Sequence, residues 1–192
     1  MPVQIGTNLH SFSNPTGMLS DCHRRIEMFL GSLQAVAEVI DRPLDEEARG
    51  TLVAALRYFR EAAPKHTADE EESLFPRMRQ IRHPVIQPAL TKLEELENDH
   101  RWAVPLHSEV ERLGQKCLSN GSLSEAETES FRKAVSALAA MYQEHIRAED
   151  DLIFPSAAKF LSSSDQAEIA EEMGARRSVR LLTVIPPIRE QG

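Results

Sequence analysis

A histidine followed four residues later by a glutamate, with Phe-Pro beginning five residues after the glutamate, occurs twice in the sequence, as His66 with Glu70 and as His145 with Glu149. The second pair follows the first at a spacing of 79 residues. Residues four apart lie on one face of a helix, one turn from each other. Two such pairs on two helices can bring two imidazoles and two carboxylates to a shared point, which is an arrangement suited to binding a cation.

The repeat also includes the dipeptide Phe-Pro, which begins five residues after each glutamate, at Phe75 and at Phe154. Because the histidine, the glutamate and Phe-Pro all recur at the same spacing, chance is a poor explanation for the pattern. The two halves of the chain are therefore expected to contribute similar parts to one site.

The composition favours an all-α protein, in which helices would position these pairs. Leucine, alanine, glutamate and arginine dominate the 192 residues, whereas glycine (8 residues) is scarce and aromatic residues make up only 5%. Apolar residues recur at steps of three and four in four long stretches, which is the pattern of helices in a bundle.

Breaker and capping residues delimit the first two predicted helices. The first is predicted at 16–40, after a polar leader that contains the breaker Asn14-Pro15. Asp45 is suited to cap the second helix, which Pro64 should kink or restart one turn before the histidine. Pro76 is expected to end the regular part of this helix.

Similar signals delimit the remaining helices. Pro88 suits the first turn of the third helix, and a loop containing the turn pair Asn-Gly is predicted at 118–123. Ser124 should begin the fourth helix, where it forms a capping box with the glutamate three residues later. The serines at 162–164 are expected to end that helix, and a shorter fifth helix is predicted at 165–175.

Each of the four main helices is predicted to place one histidine on its inward face, and two of them add a glutamate. A single inward histidine is more often a hydrogen-bonded core residue, and two buried His–Glu pairs without a metal are the alternative interpretation. Buried carboxylates without partners are costly, however, and clusters of buried polar groups mostly mark functional sites. The candidate metal ligands are His23, His66, Glu70, His100, His145 and Glu149.

Four imidazoles and two carboxylates are enough for two metal ions. Each ion would take two histidines, both glutamates would bridge the ions, and an oxo or hydroxo bridge would complete the shared ligands. Such mixed ligation suits iron, manganese or zinc, and it lacks the thiolates of a structural zinc site. Iron is the preferred metal because bridged di-iron centres recur in helical bundles, with zinc or manganese as substitutes.

Charge and hydropathy argue against several other classes of function. The net charge of −8 disfavours a nucleic-acid partner, which would require a basic face. No apolar stretch is long enough to cross a membrane, and the N-terminus lacks the pattern of a secretion signal. The two cysteines, Cys22 and Cys117, form no disulfide framework and are expected to be reduced. A cytoplasmic location is therefore predicted.

The complete motif resembles the bacterial hemerythrin-like family, also called the HHE cation-binding domain. The doubled His-x3-Glu with its trailing Phe-Pro is the specific part, and the single histidines His23 and His100 complete the pattern. The resemblance implies an antiparallel up-down four-helix bundle around a non-haem di-iron centre, with the same six residues as ligands. Activities of the family include oxygen binding, response to nitric oxide or peroxide, iron sensing and repair of iron–sulfur centres.

The resemblance divides the chain into three parts. A leader is predicted at 1–15, the hemerythrin-like bundle at 16–160, and a short helix with a tail at 161–192. The tail contains an apolar stretch at 181–188. It is expected to pack along the bundle as an arm, and the alternative is a contact for a homodimer or for another protein partner.

The third helix departs from the pattern of the oxygen-carrying hemerythrins, which have a second histidine four residues after the first. Val104 occupies that position here and is predicted to face inward, where it would make the pocket apolar. The next histidine, His107, lies about 10 Å from His100 along the helix axis. It is therefore expected to lie beside the ligands or at the solvent edge of the core.

Several other residues near the motif are candidates for supporting roles. Cys22 adjoins His23, but neighbouring helix positions point about 100° apart, so it is interpreted as a small buried residue and not as a ligand. Tyr142 lies one turn before His145, where a hydrogen bond near the metal and simple space filling are equally consistent with its position. Most nearby acidic residues should be solvated, although one is suited to hold a ligand imidazole. These acidic residues are Asp69, Glu71, Glu72, Asp150 and Asp151.

Three functions from different classes are considered. The first is a di-iron protein that binds or reduces a small oxidant (oxygen, nitric oxide or peroxide) in sensing, stress response or iron-centre repair, and the sequence leaves open whether it is an enzyme. The second is a metal-responsive regulatory or interaction module without turnover. The third, ferritin-like iron oxidation, ranks lowest because that fold uses Glu-x-x-His, with the glutamate first.

Overall fold

The computed structural model describes residues 13–179, and the regular elements within this range are all helices. The prediction of an all-α protein is therefore confirmed for this part of the chain. Most of the predicted leader and the apolar stretch at 181–188 lie outside the described residues, so the interpretations of the tail stay predictions. No helix in the described part is both long and apolar enough to span a membrane.

Two short π-helical segments interrupt the helices beside the repeated glutamates. In chain order the elements are α1 (Pro15–Val39), α2 (Glu46–Glu61), α3 (Ala63–Ala68), the first π segment (Asp69–Leu74), α4 (Phe75–Met78), a 3₁₀ turn (Pro84–Ile86), α5 (Gln87–Asn120), α6 (Glu125–Ala148), the second π segment (Glu149–Ile153), α7 (Phe154–Phe160) and α8 (Ser163–Arg176).

Local signals place several helix starts where they were predicted. A carboxylate oxygen of Asp45 accepts a hydrogen bond from the backbone N–H of Ala48 at 2.8 Å and so caps α2. Ser124 forms the expected capping box at the start of α6. Pro64 lies in the first turn of α3, where its missing N–H removes no helical hydrogen bond, and the helix restarts there as predicted.

The helix breakers at other positions act differently from the predictions. Asn14 is the N-cap of α1, so Pro15 is the first helical residue and not part of a break. Pro76 also lies in the first turn of a helix, and the chain stays helical as far as Met78. Both errors have the same cause, because proline is tolerated at a helix start and the sequence pattern alone does not separate a start from an end.

The predicted end of the third helix was also wrong, whereas the fourth helical stretch does end just before the serines at 162–164. Helix α5 continues to Asn120, and Gly121 closes it with a φ of 80°, a left-handed conformation that glycine adopts without strain. Helix α7 ends at Phe160, next to the predicted position, and Ser162 caps α8 through a capping box with Asp165. The serine therefore lies between two helices and serves as the N-cap of the second.

The long helices enclose one core with a polar layer in its middle. Helix α1 contacts α2 and α6, and α5 contacts the same two helices, so together they form a helical bundle. Two apolar clusters fill the interior. One includes Ile26, Leu56, Leu113, Phe131 and Ile146, and the other includes Leu19, Phe75, Leu93, Ile153 and Phe154. Along each helix the predicted ligands lie between residues of the first cluster and residues of the second.

Gly114 of α5 packs against the side chain of Leu56 of α2. A Cβ atom added there would lie 2.7 Å from Cδ1 of Leu56. We expect Gly114→Ala to lower the free energy of unfolding by about 1 kcal/mol, because an overpacking penalty of about 1–3 kcal/mol exceeds the gain in helix propensity of about 1 kcal/mol. Urea denaturation would measure the change.

Gly31 provides the control for this substitution, because a Cβ atom added there meets nothing within 4 Å. Gly31→Ala should therefore raise the free energy of unfolding by up to about 1 kcal/mol through helix propensity alone. Stabilisation of the same size by both substitutions would show that the contact with Leu56 does not limit the spacing of α2 and α5.

Candidate metal centre

The six candidate ligands come together in the polar layer of the bundle. Each of them is at most 8% exposed to solvent. Helices α1, α3, α5 and α6 each contribute one histidine, and the two π segments each contribute one glutamate. In that order, the residues are His23, His66, His100 and His145, with Glu70 and Glu149.

The ligating atoms form two groups that share the two glutamates. Within each group one atom from every residue lies within 4.8 Å of the others. The first group contains His23 and His66 with the two glutamates, and the second contains His100 and His145 with the same glutamates. Each group therefore offers two imidazoles and two carboxylates, and the glutamates are placed to serve both.

Each glutamate faces the histidine of its own repeat and a histidine from another helix. Glu70 Oε1 lies 3.2 Å from Nε2 of His66, and Glu149 Oε2 lies 3.2 Å from Nε2 of His145. Glu149 Oε2 also lies 3.1 Å from Nε2 of His23, and Glu70 Oε2 lies 3.6 Å from Nε2 of His100. All four imidazoles therefore direct Nε2 at the carboxylates.

Several buried atoms at the centre of this arrangement have no hydrogen-bond partner among the described residues. They are both carboxylate oxygens of Glu70 and of Glu149, together with Nε2 of His23 and of His145. A buried polar atom without a partner costs about 1–3 kcal/mol and is rare in folded proteins. Six such atoms directed at one point fit bound cations, and nitrogen with carboxylate oxygen is a donor set that transition metals accept.

Two carboxylates hold ligand imidazoles from the side facing away from the centre. Nδ1–H of His23 donates to Asp150 at 3.0 Å, and Nδ1–H of His100 donates to Glu71 at 2.8 Å. Each acceptor directly follows one of the shared glutamates, so the repeat supplies these residues too. The hydrogen bond fixes the proton on Nδ1, so that Nε2 is the nitrogen that would offer its lone pair to a metal. Only one of the acidic residues was expected to act in this way, and two do.

A third carboxylate, Asp99, was missed by the sequence analysis. Nδ1–H of His145 donates to Asp99 at 3.2 Å, across the contact between α5 and α6. The side chain of Asp99 is 39% exposed and the residue precedes His100, so helical spacing assigns it to the solvated face. Its role depends on how two helices pack, which local spacing does not encode. His66 differs from the other three histidines, because its buried Nδ1 has no partner among the described residues.

Burial and mutual charge shift the pKa values of the metal-free site. Burial and the charge of Glu149 raise the pKa of Glu70 to about 8. Burial lowers the pKa of His23, but the hydrogen bond to Asp150 and the negative charge of Glu149 outweigh it and raise the value to about 11. Burial also lowers the pKa of His145, but the negative charge of Glu149 outweighs this effect and raises the value to about 9. Protons on these groups therefore supply part of the positive charge that the carboxylates require.

The π segments explain why Phe-Pro belongs to the repeat. Glu70 and Glu149 lie at the beginning of the two segments, and Phe75 and Phe154 begin the α-helices that follow them. Proline in the first turn of each new helix suits the return from π to α geometry, because it has no N–H to lose. The ring of Phe154 also stacks on the imidazole of His23, with centroids 5.1 Å apart. The π geometry itself was not predicted.

Tyr142 and His107 lie beside the ligands and bind each other. Burial lowers the pKa of His107 to about 4, so the neutral ring accepts a hydrogen bond from the Tyr142 hydroxyl at 3.0 Å. The ring of Tyr142 packs edge-on against His145, with centroids 6.1 Å apart. His107 is in neither ligand group, as predicted, and Tyr142 forms a hydrogen bond with this residue and not with a candidate ligand.

Val104 does not face inward, so the prediction that it makes an inner pocket apolar was wrong. Its side chain is 62% exposed, whereas its neighbour Ala103 is 3% exposed and faces the core. Ala103 and Val104 lie three and four residues after His100, on opposite sides of the helix face that carries the histidine. The packing of α5 turns Ala103 toward the core and Val104 toward solvent. Val104 instead lines an outer groove of about 370 Å³ that also reaches His100 and Tyr142. Cys22 is buried and belongs to neither group.

The fold and the site define a helical protein with a buried cluster of histidines and glutamates that can hold metal cations. The sequence matches the family described as the hemerythrin HHE cation binding domain over residues 14–157, and the chain belongs to this family. A curated protein of Haemophilus influenzae (strain ATCC 51907 / DSM 11121 / KW20 / Rd), described as uncharacterized, is similar to the chain. It is 27% identical over 180 residues, which cover 93% of this chain and 96% of that protein.

Proposed function

We propose that this chain is a non-haem di-iron protein that binds or reduces a small oxidant such as oxygen, nitric oxide or peroxide. The observation that supports it most strongly is the sharing of Glu70 and Glu149 by two groups of ligating atoms. In this proposal the two glutamates bridge two iron ions, and two histidines hold each ion. The four long helices would run antiparallel around the pair, with zinc or manganese as substitute metals.

The chain's own residues would orient the ligands and limit the access of water. Bound iron would supply the electrons for reduction of the oxidant. The hydrogen bonds from Nδ1 to Glu71, Asp99 and Asp150 hold three imidazoles in one orientation. The apolar clusters on both sides of the polar layer restrict water, which strengthens the attraction between carboxylates and cations.

The groove beside α5 is the proposed entry for the small oxidant. His100, His107 and Tyr142 line it together with the apolar side chains Phe59 and Val104. Its inner end therefore reaches a ligand imidazole, and its walls are mostly apolar. The hydroxyl of Tyr142 is engaged by His107, and both residues line the groove beside the ligand His100.

Metal content is the direct test of the proposal. Protein produced in iron-rich cells should contain close to two iron ions per chain, because each of the two groups of ligating atoms offers four donors. Elemental analysis would measure the content, and an optical spectrum of the aerobically purified protein would identify the metal. Protein that binds no transition metal, or only one ion per chain, after anaerobic addition of iron(II) would contradict the di-iron assignment.

A metal-responsive regulatory or interaction module is the second candidate. It is favoured by the packing of α8 against the first π segment, which connects the metal layer with the outside of the bundle. A metal-dependent change in protease sensitivity with no turnover of any oxidant would support this candidate over the first.

A further inference from the structure

Asp69 is a fully buried carboxylate that directly precedes Glu70 but is bound by α8 and not by the metal layer. Its Oδ1 accepts a hydrogen bond from Nη1 of Arg176 at 3.0 Å, and its Oδ2 accepts one from Nη2 of Arg177 at 2.5 Å. The two arginine side chains are only about one-fifth exposed, at 20% and 21%. Charge-assisted hydrogen bonds in such surroundings are among the stronger polar contacts in proteins.

Arg176 also binds two further residues of the first π segment. Nη1 of Arg176 also donates to the hydroxyl of Ser73 at 2.9 Å, and its Nη2 donates to Glu72 at 3.0 Å. Asp69, Glu72 and Ser73 surround Glu70 in the chain, so the segment is fixed by α8 on both sides of the shared glutamate. These contacts leave the carboxylate of Glu70 free to face the histidines.

The contact with α8 is specific to one half of the repeat. At the positions that correspond to Asp69 and Ser73, the second half has Ala148 and Leu152, which cannot form these hydrogen bonds. Helix α8 also lies beyond the residues matched by the family, which end at 157. The arginines are therefore an addition to the repeated ligand motif and not a part of it.

Geometry explains why the first π segment would need an anchor. A π segment fits one extra residue into the helix, and it is rarer than the α-helix because its backbone geometry is less favourable. Relaxing it to an α-helix would turn one flank by about 100° relative to the other. Such a rotation would move Glu70 away from His66 and His100, which it faces at 3.2 and 3.6 Å.

We propose that Arg176 and Arg177 are positioning residues for the metal centre, which hold the first π segment through Asp69 and so keep Glu70 directed at the metals. The inference rests on the proposed function only in requiring metal at the six ligands, and it depends on neither the identity of the metal nor the oxidant. Because coupling is reciprocal, metal binding should also tighten the docking of α8 by the same factor.

The first test compares metal affinity in two variants that both weaken the docking of α8. R176Q/R177Q removes the charges that face Asp69. E168Q/E172Q removes the ion pairs between α8 and Arg77, at 3.0 and 2.8 Å, and leaves the pairs of Asp69 in place. Glutamine can retain the hydrogen bond that Glu172 makes with Ser73.

Anaerobic titration with iron(II) should show binding about 10–100-fold weaker in R176Q/R177Q, the usual effect of losing a residue that orients a ligand. The control E168Q/E172Q should stay close to the unmodified protein, and R176K/R177K should recover part of the affinity because it keeps the charge. Equal affinity in the two glutamine variants would overturn the proposal. Unmodified protein that binds no metal would overturn the proposed function as well.

Hydrogen exchange on the unmodified protein gives a second test that does not require any variant to fold. Amide exchange in α8 should slow at least about tenfold when iron(II) is added, because a fixed Glu70 and a docked α8 favour each other. Exchange at the start of α2, which lies away from the ligands, provides the internal control. Unchanged exchange in α8 at saturating metal would overturn the proposal.

Discussion

Glu70→Ala should reduce the iron content from about two ions per chain to one or fewer. The glutamate belongs to both groups of ligating atoms, so its removal takes a donor from each group at once. It also leaves His66 and His100 without the carboxylate that each of them faces. Elemental analysis after anaerobic reconstitution would measure the content, and the optical spectrum should lose the features of a coupled pair of ions.

His107→Ala is the matched control, because His107 is close to the site but lies outside both groups. Its Nε2 binds only the Tyr142 hydroxyl among the hydrogen bonds described for it, so the variant should keep about two ions per chain. The loss of that hydrogen bond should lower the free energy of unfolding by about 1 kcal/mol. Equal loss of iron in both variants would mean that the assignment of ligands on α5 is wrong, because His107 would then be required for metal binding.

The residues that the sequence predicted best are those with local, repeated spacing. A histidine and a glutamate four apart must share a helix face, so His66 with Glu70 and His145 with Glu149 could be paired without any tertiary information. The repeat also placed Glu71 and Asp150 at corresponding positions. Their role as acceptors for imidazoles on other helices became visible only once the helices were packed.

The features that the sequence did not reveal depend on the rotation and contacts of whole helices. A small rotation of α5 decides whether Ala103 or Val104 faces the core, and both choices fit an alternation of three and four residues. Asp99 reaches His145 only because α5 and α6 are neighbours. Similarly, the contact between α8 and Asp69 joins residues that are about one hundred positions apart, so no local pattern predicts it.

Removing the metal should lower the stability of the protein strongly. Glu70 and Glu149 are fully buried, and in the metal-free form their charge is removed or balanced only by protons, because the pKa of Glu70 itself is raised to about 8 and those of His23 and His145 to about 11 and 9. A cation that binds only the folded state stabilises it by about 4 kcal/mol when its concentration is a thousand times its Kd. For a chain of this length we therefore expect the unfolding temperature to fall by about 10 °C or more on iron removal.

Thermal unfolding of the iron-loaded and metal-free forms at one fixed pH tests this expectation. Adding iron(II) back should restore the unfolding temperature of the unmodified protein but should raise that of Glu70→Ala much less, because the variant lacks a shared ligand. Superimposable curves for loaded and metal-free protein would show that the core forms independently of metal. Protonation and hydrogen bonding alone would then stabilise the buried carboxylates. That result would support the alternative interpretation of the site as two buried His–Glu pairs without a metal.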